Sequence, residues 1–170
     1  VVVGITAGGT TPYVHGALQA AQQRGATTIF MACVPADQVP SRADIDIRLL
    51  VGPEVLAGST RLKAGTVTKM ALNILSTGVM VGLGKTYGNR MVDVAVTNSK
   101  LRDRATRILC DLTDLDRDGA IDLLDRSGQQ VKLALMMHLG QLEAAAAADC
   151  LSQHNGHLAR ALAAIRPIQP

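Results

Sequence analysis

Apolar runs in the first half of the chain alternate with breaks rich in glycine and proline. Residues 1–6 form a β-branched run that predicts a buried strand, and residues 27–33 predict a second strand. Between them apolar positions recur at helical spacing over residues 12–24, and Gly25 is placed to end that helix. Residues 45–51 alternate and then become apolar, which predicts a third strand near a sheet edge. This order of elements predicts a parallel α/β layer.

A long helix is predicted next, from Ser59 or Thr60 to Leu83. Its apolar residues recur every three or four positions and so define one face. That face consists of Val67, Met70, Ala71, Ile74, Gly78 and Val81.

Beyond Asn98 charged and apolar residues alternate at helical spacing, with turn signals near positions 112, 127, 140 and 155. Four or five short helices are predicted there, with packing or assembly as their role. We therefore predict a sheet-containing domain over residues 1–98 and a small all-α domain over residues 99–170.

Composition excludes several functional classes. The chain has 170 residues, 48% of them hydrophobic, and a formal charge of +3 from interspersed acids and bases. Only Tyr13, Phe30 and Tyr87 could stack on bases, so no nucleic-acid partner is expected. The hydrophobic fraction is sufficient for a real core, so disorder is not expected.

Cysteine usage and hydropathy indicate the compartment. Cys33, Cys110 and Cys150 are widely spaced and odd in number, so neither a disulfide framework nor a zinc site is expected. The longest apolar stretch, residues 70–84, is interrupted by polar residues and is too short to span a bilayer. These features predict a soluble cytoplasmic protein without a membrane partner.

Two loops rich in glycine and hydroxyl groups, residues 4–13 and 52–66, each precede a predicted helix. Such a loop after a buried strand offers backbone N–H groups, hydroxyls and the positive end of a helix dipole to an anion. The chain is thus predicted to bind a phosphorylated small molecule. The candidate binding residues are Thr6, Gly8, Gly9, Thr10, Thr11, Ser59 and Lys63.

Lys63 and Glu54 each allow two interpretations. A cation in a first helical turn opposes the macrodipole, which favours an anionic partner for Lys63; the alternative is a lysine whose stem is partly buried and whose head reaches solvent. Glu54 is a candidate catalytic carboxylate beside the loops. The favoured alternative is that Glu54 accepts hydrogen bonds from backbone N–H groups there.

Residues 114–125 follow the spacing of a twelve-residue EF-hand calcium loop, with Gly119 at its sixth position. Asp125 stands at the last position, where the longer glutamate is usual. The alternative is that Asp114 or Asp116 caps a helix whose first turn carries further acids. The candidate calcium ligands are Asp114, Asp116, Asp118 and Asp125.

The four histidines are not expected to form a site. His154 and His157 are separated by an Asn-Gly turn signal, so a shared metal is not expected. His15 and His138 are isolated in the sequence and are interpreted as satisfied surface or core histidines.

Residues 51–66 read VGPEVLAGSTRLKAGT, and KMALNILSTG, YGNRMVDV and TNSKL follow from positions 69, 87 and 97. Together these segments closely resemble the signature of N-acetylmuramic acid 6-phosphate etherases. The similarity extends to the turn at Gly156 and to residues 160–162, so it covers essentially the whole chain.

This resemblance implies a sugar isomerase (SIS) fold with a flavodoxin-like sheet, followed by a small helical domain similar to ubiquitin-associated (UBA) modules. It also implies a carbon–oxygen lyase that removes D-lactate from N-acetylmuramate 6-phosphate, in cell-wall recycling, and that works as a homodimer without a cofactor. A base would take the proton on C2 of the open-chain sugar while an acid protonates the departing ether oxygen. Water would then add at C3, leaving N-acetylglucosamine 6-phosphate.

Two departures limit the resemblance. The family's acid and base glutamates lie upstream of the strand matched by residues 1–6, so the chain is expected to be the C-terminal part of a longer protein and inactive alone. The family pattern Ser-Gly-Arg-Thr-Pro-Tyr appears here as Gly8-Gly9-Thr10-Thr11-Pro12-Tyr13. The changed segment is more similar to that of glucokinase regulatory proteins, which bind sugar phosphates without turning them over. A sugar-phosphate-binding regulator is therefore one alternative function, and a calcium-binding helical assembly module, based on residues 114–125, is the other.

Overall fold

The computed structural model describes residues 1–165. Their elements, in chain order, are β1 (Val2–Thr6), α1 (Pro12–Gln23), β2 (Thr28–Ala32), β3 (Ile45–Arg48), α2 (Lys63–Gly82), β4 (Thr86–Tyr87), β5 (Arg90–Met91), α3 (Ser99–Leu112), α4 (Arg117–Arg126), α5 (Val131–Gly140), α6 (Ala144–Gln153) and α7 (Leu158–Ile165). The chain divides into two units, Val1–Leu75 and Ser76–Pro170. The predicted division between residues 98 and 99 stays a prediction.

The first unit contains a parallel sheet with strand order β1-β2-β3. The predicted α/β class with a parallel sheet is therefore confirmed. Helix α1 connects β1 to β2 and packs on Gly4, where an added Cβ would lie only 2.7 Å from Val14. Phe30, in the middle of β2, is fully buried in the core of this unit.

Asp44 holds the start of β3 beside β2. Its carboxylate accepts hydrogen bonds from the Thr28 amide at 2.7 Å and the Thr28 hydroxyl at 2.8 Å. The bond from the amide, followed by the bond from the hydroxyl, holds the pKa of Asp44 below its ordinary value. Strand β3 lies at the edge of the three-stranded sheet, as predicted, although it ends at Arg48 and not at residue 51.

Helix α2 differs from its prediction in two respects. It begins at Lys63, three or four residues later than predicted. Among its residues only Ala64 is buried, and the apolar face identified from the sequence is largely exposed, with Ile74 at 71% and Met70 at 57%. Spacing correctly indicated an apolar face, but it does not indicate what covers that face.

The second unit is mostly helical. Its core is formed by side chains of α3 to α7 together with Val92, and a short antiparallel pair, β4 and β5, precedes the helices. Between Asn98 and residue 165 the structure has five helices, which agrees with the predicted four or five. None of the helices in residues 1–165 combines the length and apolarity needed to cross a bilayer.

Candidate functional site

The loop between β1 and α1, residues 7–11, is shaped around Gly9. Its backbone has φ of +77°, and an added Cβ would lie 2.9 Å from Val34 and 3.1 Å from Val39. Glycine is required here because other residues rarely adopt this conformation and no space exists for a side chain. Pro12 then starts α1. The N–H group at the first helical position has no acceptor within the helix, so a proline there costs no hydrogen bond.

Polar contacts within the first unit hold this loop. Thr6 Oγ1 and Thr11 Oγ1 share a hydrogen bond of 2.8 Å, which joins the end of β1 to the start of α1. From the first turn of α1, His15 Nε2 lies 2.6 Å from the Gly9 carbonyl oxygen and is placed to donate to it. The loop backbone is therefore fixed from both ends.

The loop presents unused hydrogen-bond donors at the positive end of α1. Within residues 1–165 no protein acceptor receives the amides of Gly8, Thr10, Thr11 or Tyr13. Thr11 is the N-cap, but its side chain makes no capping bond, and the first turn of α1 contains no acidic residue. Exposed amides at an uncapped helix start favour an anion.

The loop before α2 has a different arrangement. The Glu54 carboxylate accepts hydrogen bonds from the Lys63 amide at 2.9 Å and the Ala64 amide at 3.0 Å. The Ala64 bond, followed by the Lys63 bond, lowers the pKa of Glu54. Glu54 thus accepts backbone N–H groups, as the favoured interpretation proposed, and its charge complements the helix dipole.

Lys63 and Ser59 have protein partners at this second loop. Lys63 Nζ donates to the Pro53 carbonyl oxygen at 2.9 Å, and the residue as a whole is exposed. The Ser59 amide donates to the Leu56 carbonyl at 3.0 Å. The Lys63 and Ala64 amides, which open α2, therefore already have an anionic acceptor.

Cys33, at the carboxyl end of β2, contacts the loop before α1 and the beginning of α2. Its amide donates to the Ala7 carbonyl at 3.0 Å. Its Sγ lies 3.9 Å from the Ala64 carbonyl oxygen and 3.8 Å from Thr68 Oγ1. Cys33 thus links the loop before α1 to the first turns of α2 at the carboxyl end of β2, the side of a parallel sheet where ligands usually bind.

The four candidate calcium ligands do not converge in the second unit. Asp114 pairs with His138 at 2.8 Å, Asp116 caps α4 by accepting from the Gly119 amide, and Asp125 pairs with Arg102 at 2.7 Å. Helix α4 begins at Arg117, within the span that would form the loop, and Asp118 lies in its first turn. Within residues 1–165 no group of three His, Cys, Asp or Glu side chains could hold a metal. Asp116 therefore caps a helix, as the alternative interpretation proposed.

Asp114 and Asp125 each interact with a separate partner. The pKa of Asp114 is lowered, chiefly by its hydrogen bond to His138, and that of Asp125 is lowered chiefly by Arg102. Both carboxylates are therefore used to join helices of the second unit.

Sequence reasoning missed the contact of His15 with the loop. Its position supplied a signal, because side chains in a first helical turn point back towards the residues that precede the helix. His15 also stacks on Phe30, with ring centroids 5.4 Å apart.

Comparison with known proteins finds named relatives of the chain. No family model matches the chain. A relative from Crocosphaera subtropica, named N-acetylmuramic acid 6-phosphate etherase, is 73% identical over 96% of this chain and 54% of its own length. The predicted resemblance to the etherase family is confirmed. Etherases of the same name from Microcystis aeruginosa and a Synechocystis strain are 70% and 71% identical, over 99% and 95% of the chain.

The chain spans about half the length of the curated etherases that it matches, with 54%, 55% and 53% of the three relatives covered.

Proposed function

We propose that the chain is the sugar-phosphate-binding part of an N-acetylmuramic acid 6-phosphate etherase. The observation that carries the proposal is the loop before α1, whose exposed amides of Gly8, Thr10, Thr11 and Tyr13 are unused within residues 1–165. The identity of 73% to a named etherase supports the choice of substrate. The phosphate would accept hydrogen bonds from these amides, with Thr6 and Thr11 beside them.

The proposed reaction is an elimination followed by addition of water. A base removes the C2 proton, the bond between C3 and the lactyl ether oxygen breaks, and an acid protonates that oxygen, which releases D-lactate. Water then adds at C3 and gives N-acetylglucosamine 6-phosphate. By holding the phosphate on C6, this chain would fix the reacting carbons against catalytic groups that it does not itself supply.

The chain contains two glutamates, and neither is assigned as the acid or the base. Glu54 is occupied by the amides of α2, and Glu143 is the N-cap residue of α6 in the other unit. We therefore propose that the acid and base come from the part of the etherase that this chain does not span, and that residues 1–170 alone release no D-lactate.

The finer fold assignment is also a proposal. The parallel sheet with α1 crossing between β1 and β2 supports an SIS-type sugar-phosphate domain over residues 1–98. The five helices after Asn98 support a UBA-like domain over residues 99–170. A cytoplasmic location and a role in amino-sugar recycling follow from the proposed substrate, and no cofactor is invoked.

Homodimer assembly, which the family resemblance implies, belongs to the same proposal. Helix α2 exposes Met70 and Ile74, and within the described residues β1 pairs with a neighbour on one side only. Unpaired strand edges and exposed apolar side chains favour association. Light scattering on the full-length protein should give twice the monomer mass; a monomer at micromolar concentration would contradict this part.

A hybrid enzyme tests the function directly. The chain would replace its counterpart in the Crocosphaera subtropica etherase, and D-lactate release would be measured beside that of the unchanged etherase. We expect release by the hybrid and none by residues 1–170 alone. A hybrid that folds and binds N-acetylglucosamine 6-phosphate without releasing D-lactate would instead support the regulator alternative, which the altered Gly8–Thr11 segment favours.

A further inference from the structure

We propose that His15 is a positioning residue that turns the Thr10 amide towards the bound phosphate. The inference rests on the proposed function, because it assumes that the loop before α1 holds the phosphate. It assigns no chemical step to His15.

One peptide plane connects the His15 contact to the Thr10 amide. His15 Nε2 lies 2.6 Å from the Gly9 carbonyl oxygen and is placed to donate to it, which fixes the direction of that carbonyl towards α1. In a planar trans peptide the C=O of one residue and the N–H of the next point in opposite directions. The Thr10 N–H is therefore directed away from His15, and Thr10 is exposed.

Val34 and Val39 confine Gly9 on the side opposite His15. Val34 and Val39 lie so close that a Cβ on Gly9 would approach them to 2.9 and 3.1 Å. The Arg48 guanidinium holds these two residues, because it donates to the Val34 carbonyl at 3.1 Å and the Val39 carbonyl at 2.8 Å. Gly9 is therefore confined on that side and linked to His15 through its carbonyl.

The ring of His15 is itself held in place by stacking on Phe30. Its ring stacks on the fully buried Phe30 with an angle of 28° between the planes. The Arg48 guanidinium carbon lies 4.9 Å from the centre of the same Phe30 ring. One buried aromatic ring thus contacts both side chains that fix the surroundings of Gly9, and the histidine has a rigid support.

Two variants test the hydrogen bond from His15 to the Gly9 carbonyl separately from the packing of His15 on Phe30. His15→Phe retains a ring over Phe30 but has no donor for the Gly9 carbonyl, whereas His15→Gln retains a donor. Affinity for N-acetylglucosamine 6-phosphate would be measured by amide-resolved NMR titration of residues 1–170, with N-acetylglucosamine as the control ligand without phosphate. We expect His15→Phe to weaken phosphate-dependent binding by about five- to tenfold and His15→Gln to restore it to within about threefold.

The outcomes distinguish this inference from the proposed function. If the wild type does not bind the phosphorylated sugar, the proposed function and the inference both fail. If the wild type binds and a folded His15→Phe binds equally well, only the inference fails. Should His15→Phe not fold, the wild-type titration decides: the Thr10 amide must be among those that shift most, and an unmoved Thr10 amide beside shifted neighbours overturns the inference.

Discussion

The starts of α1 and α2 in the first unit differ in the source of the anion that their amides bind: at α2 it is a side chain of the same chain, and at α1 it is not. Both α1 and α2 follow glycine-rich loops, and both were predicted to bind phosphate. At α1 the exposed amides have no acceptor within residues 1–165 and the first turn carries no acid. At α2 the Glu54 carboxylate accepts the Lys63 and Ala64 amides. A helix start is available to an external anion only where the chain does not provide its own.

Substituting Gly9 should have the largest effect on this comparison. Gly9→Ala forces a side chain into a left-handed backbone and against Val34, and we expect a loss of about 2–4 kcal/mol in the free energy of unfolding. Phosphate binding should be lost with it. Gly8→Ala is the matched control, since an added Cβ there meets nothing within 4 Å, and its effect should stay within about 0.5 kcal/mol. Urea unfolding measures both; equal effects of the two variants would contradict the structural account of the loop.

Removing the internal anion of α2 should make the second helix start resemble the first. Glu54→Ala leaves the Lys63 and Ala64 amides without an acceptor, so we expect a lower melting temperature, by less than Gly9→Ala gives, and new phosphate-dependent shifts of these amides in NMR spectra. Glu54→Gln, which keeps an acceptor oxygen, is the control and should show smaller changes. If Glu54→Ala left the stability unchanged and the Lys63 and Ala64 amides did not shift with phosphate, the carboxylate would not occupy this helix start in solution.

The charge of Glu54 also predicts a pH dependence. Its pKa is lowered in the folded chain, so the folded state binds this proton less readily than the unfolded state does. The stabilisation is fully present above the unfolded pKa and is lost as the pH falls through the lower folded pKa. The stability difference between the wild type and Glu54→Gln should therefore shrink on acidification below about pH 4; a difference that persists or grows in acid would contradict this role.

Changing Lys63 should have the smallest effect. Its Nζ donates to the exposed Pro53 carbonyl, so Lys63→Met should change the affinity for N-acetylglucosamine 6-phosphate by less than about twofold. Lys69→Met on the same helix is the control. A loss of about tenfold or more in Lys63→Met alone would place the lysine on the phosphate and restore the second loop as part of the site.

Local signals predicted much of the first unit. The β-branched runs, Pro12 at a helix start and Gly25 after a helix end were sufficient for β1, α1 and β2, because each signal acts on its own neighbourhood. The exposure of α2 could not be predicted, since an apolar face does not identify the surface that covers it. The delayed start of α2 has a similar cause, because Glu54 caps it from nine residues away.

The candidate site shows the same limit. Glycine and hydroxyl spacing identified both loops but could not show that one of them is already occupied. The spacing of residues 114–125 matched a calcium loop, yet pairing with Arg102 and His138 depends on contacts between helices that are distant in sequence. His15 was missed because an isolated histidine has no sequence partner that would distinguish a positioning contact from ordinary packing.

The central claim is that α1 and not α2 presents the anion site, and an amide-resolved NMR titration of residues 1–170 with N-acetylglucosamine 6-phosphate tests it most directly. We expect saturable shifts of the Gly8, Thr10, Thr11 and Tyr13 amides, while the signals of the Lys63 and Ala64 amides stay in place. Shifts centred on Lys63 and Ala64, with the loop before α1 unaffected, would contradict it.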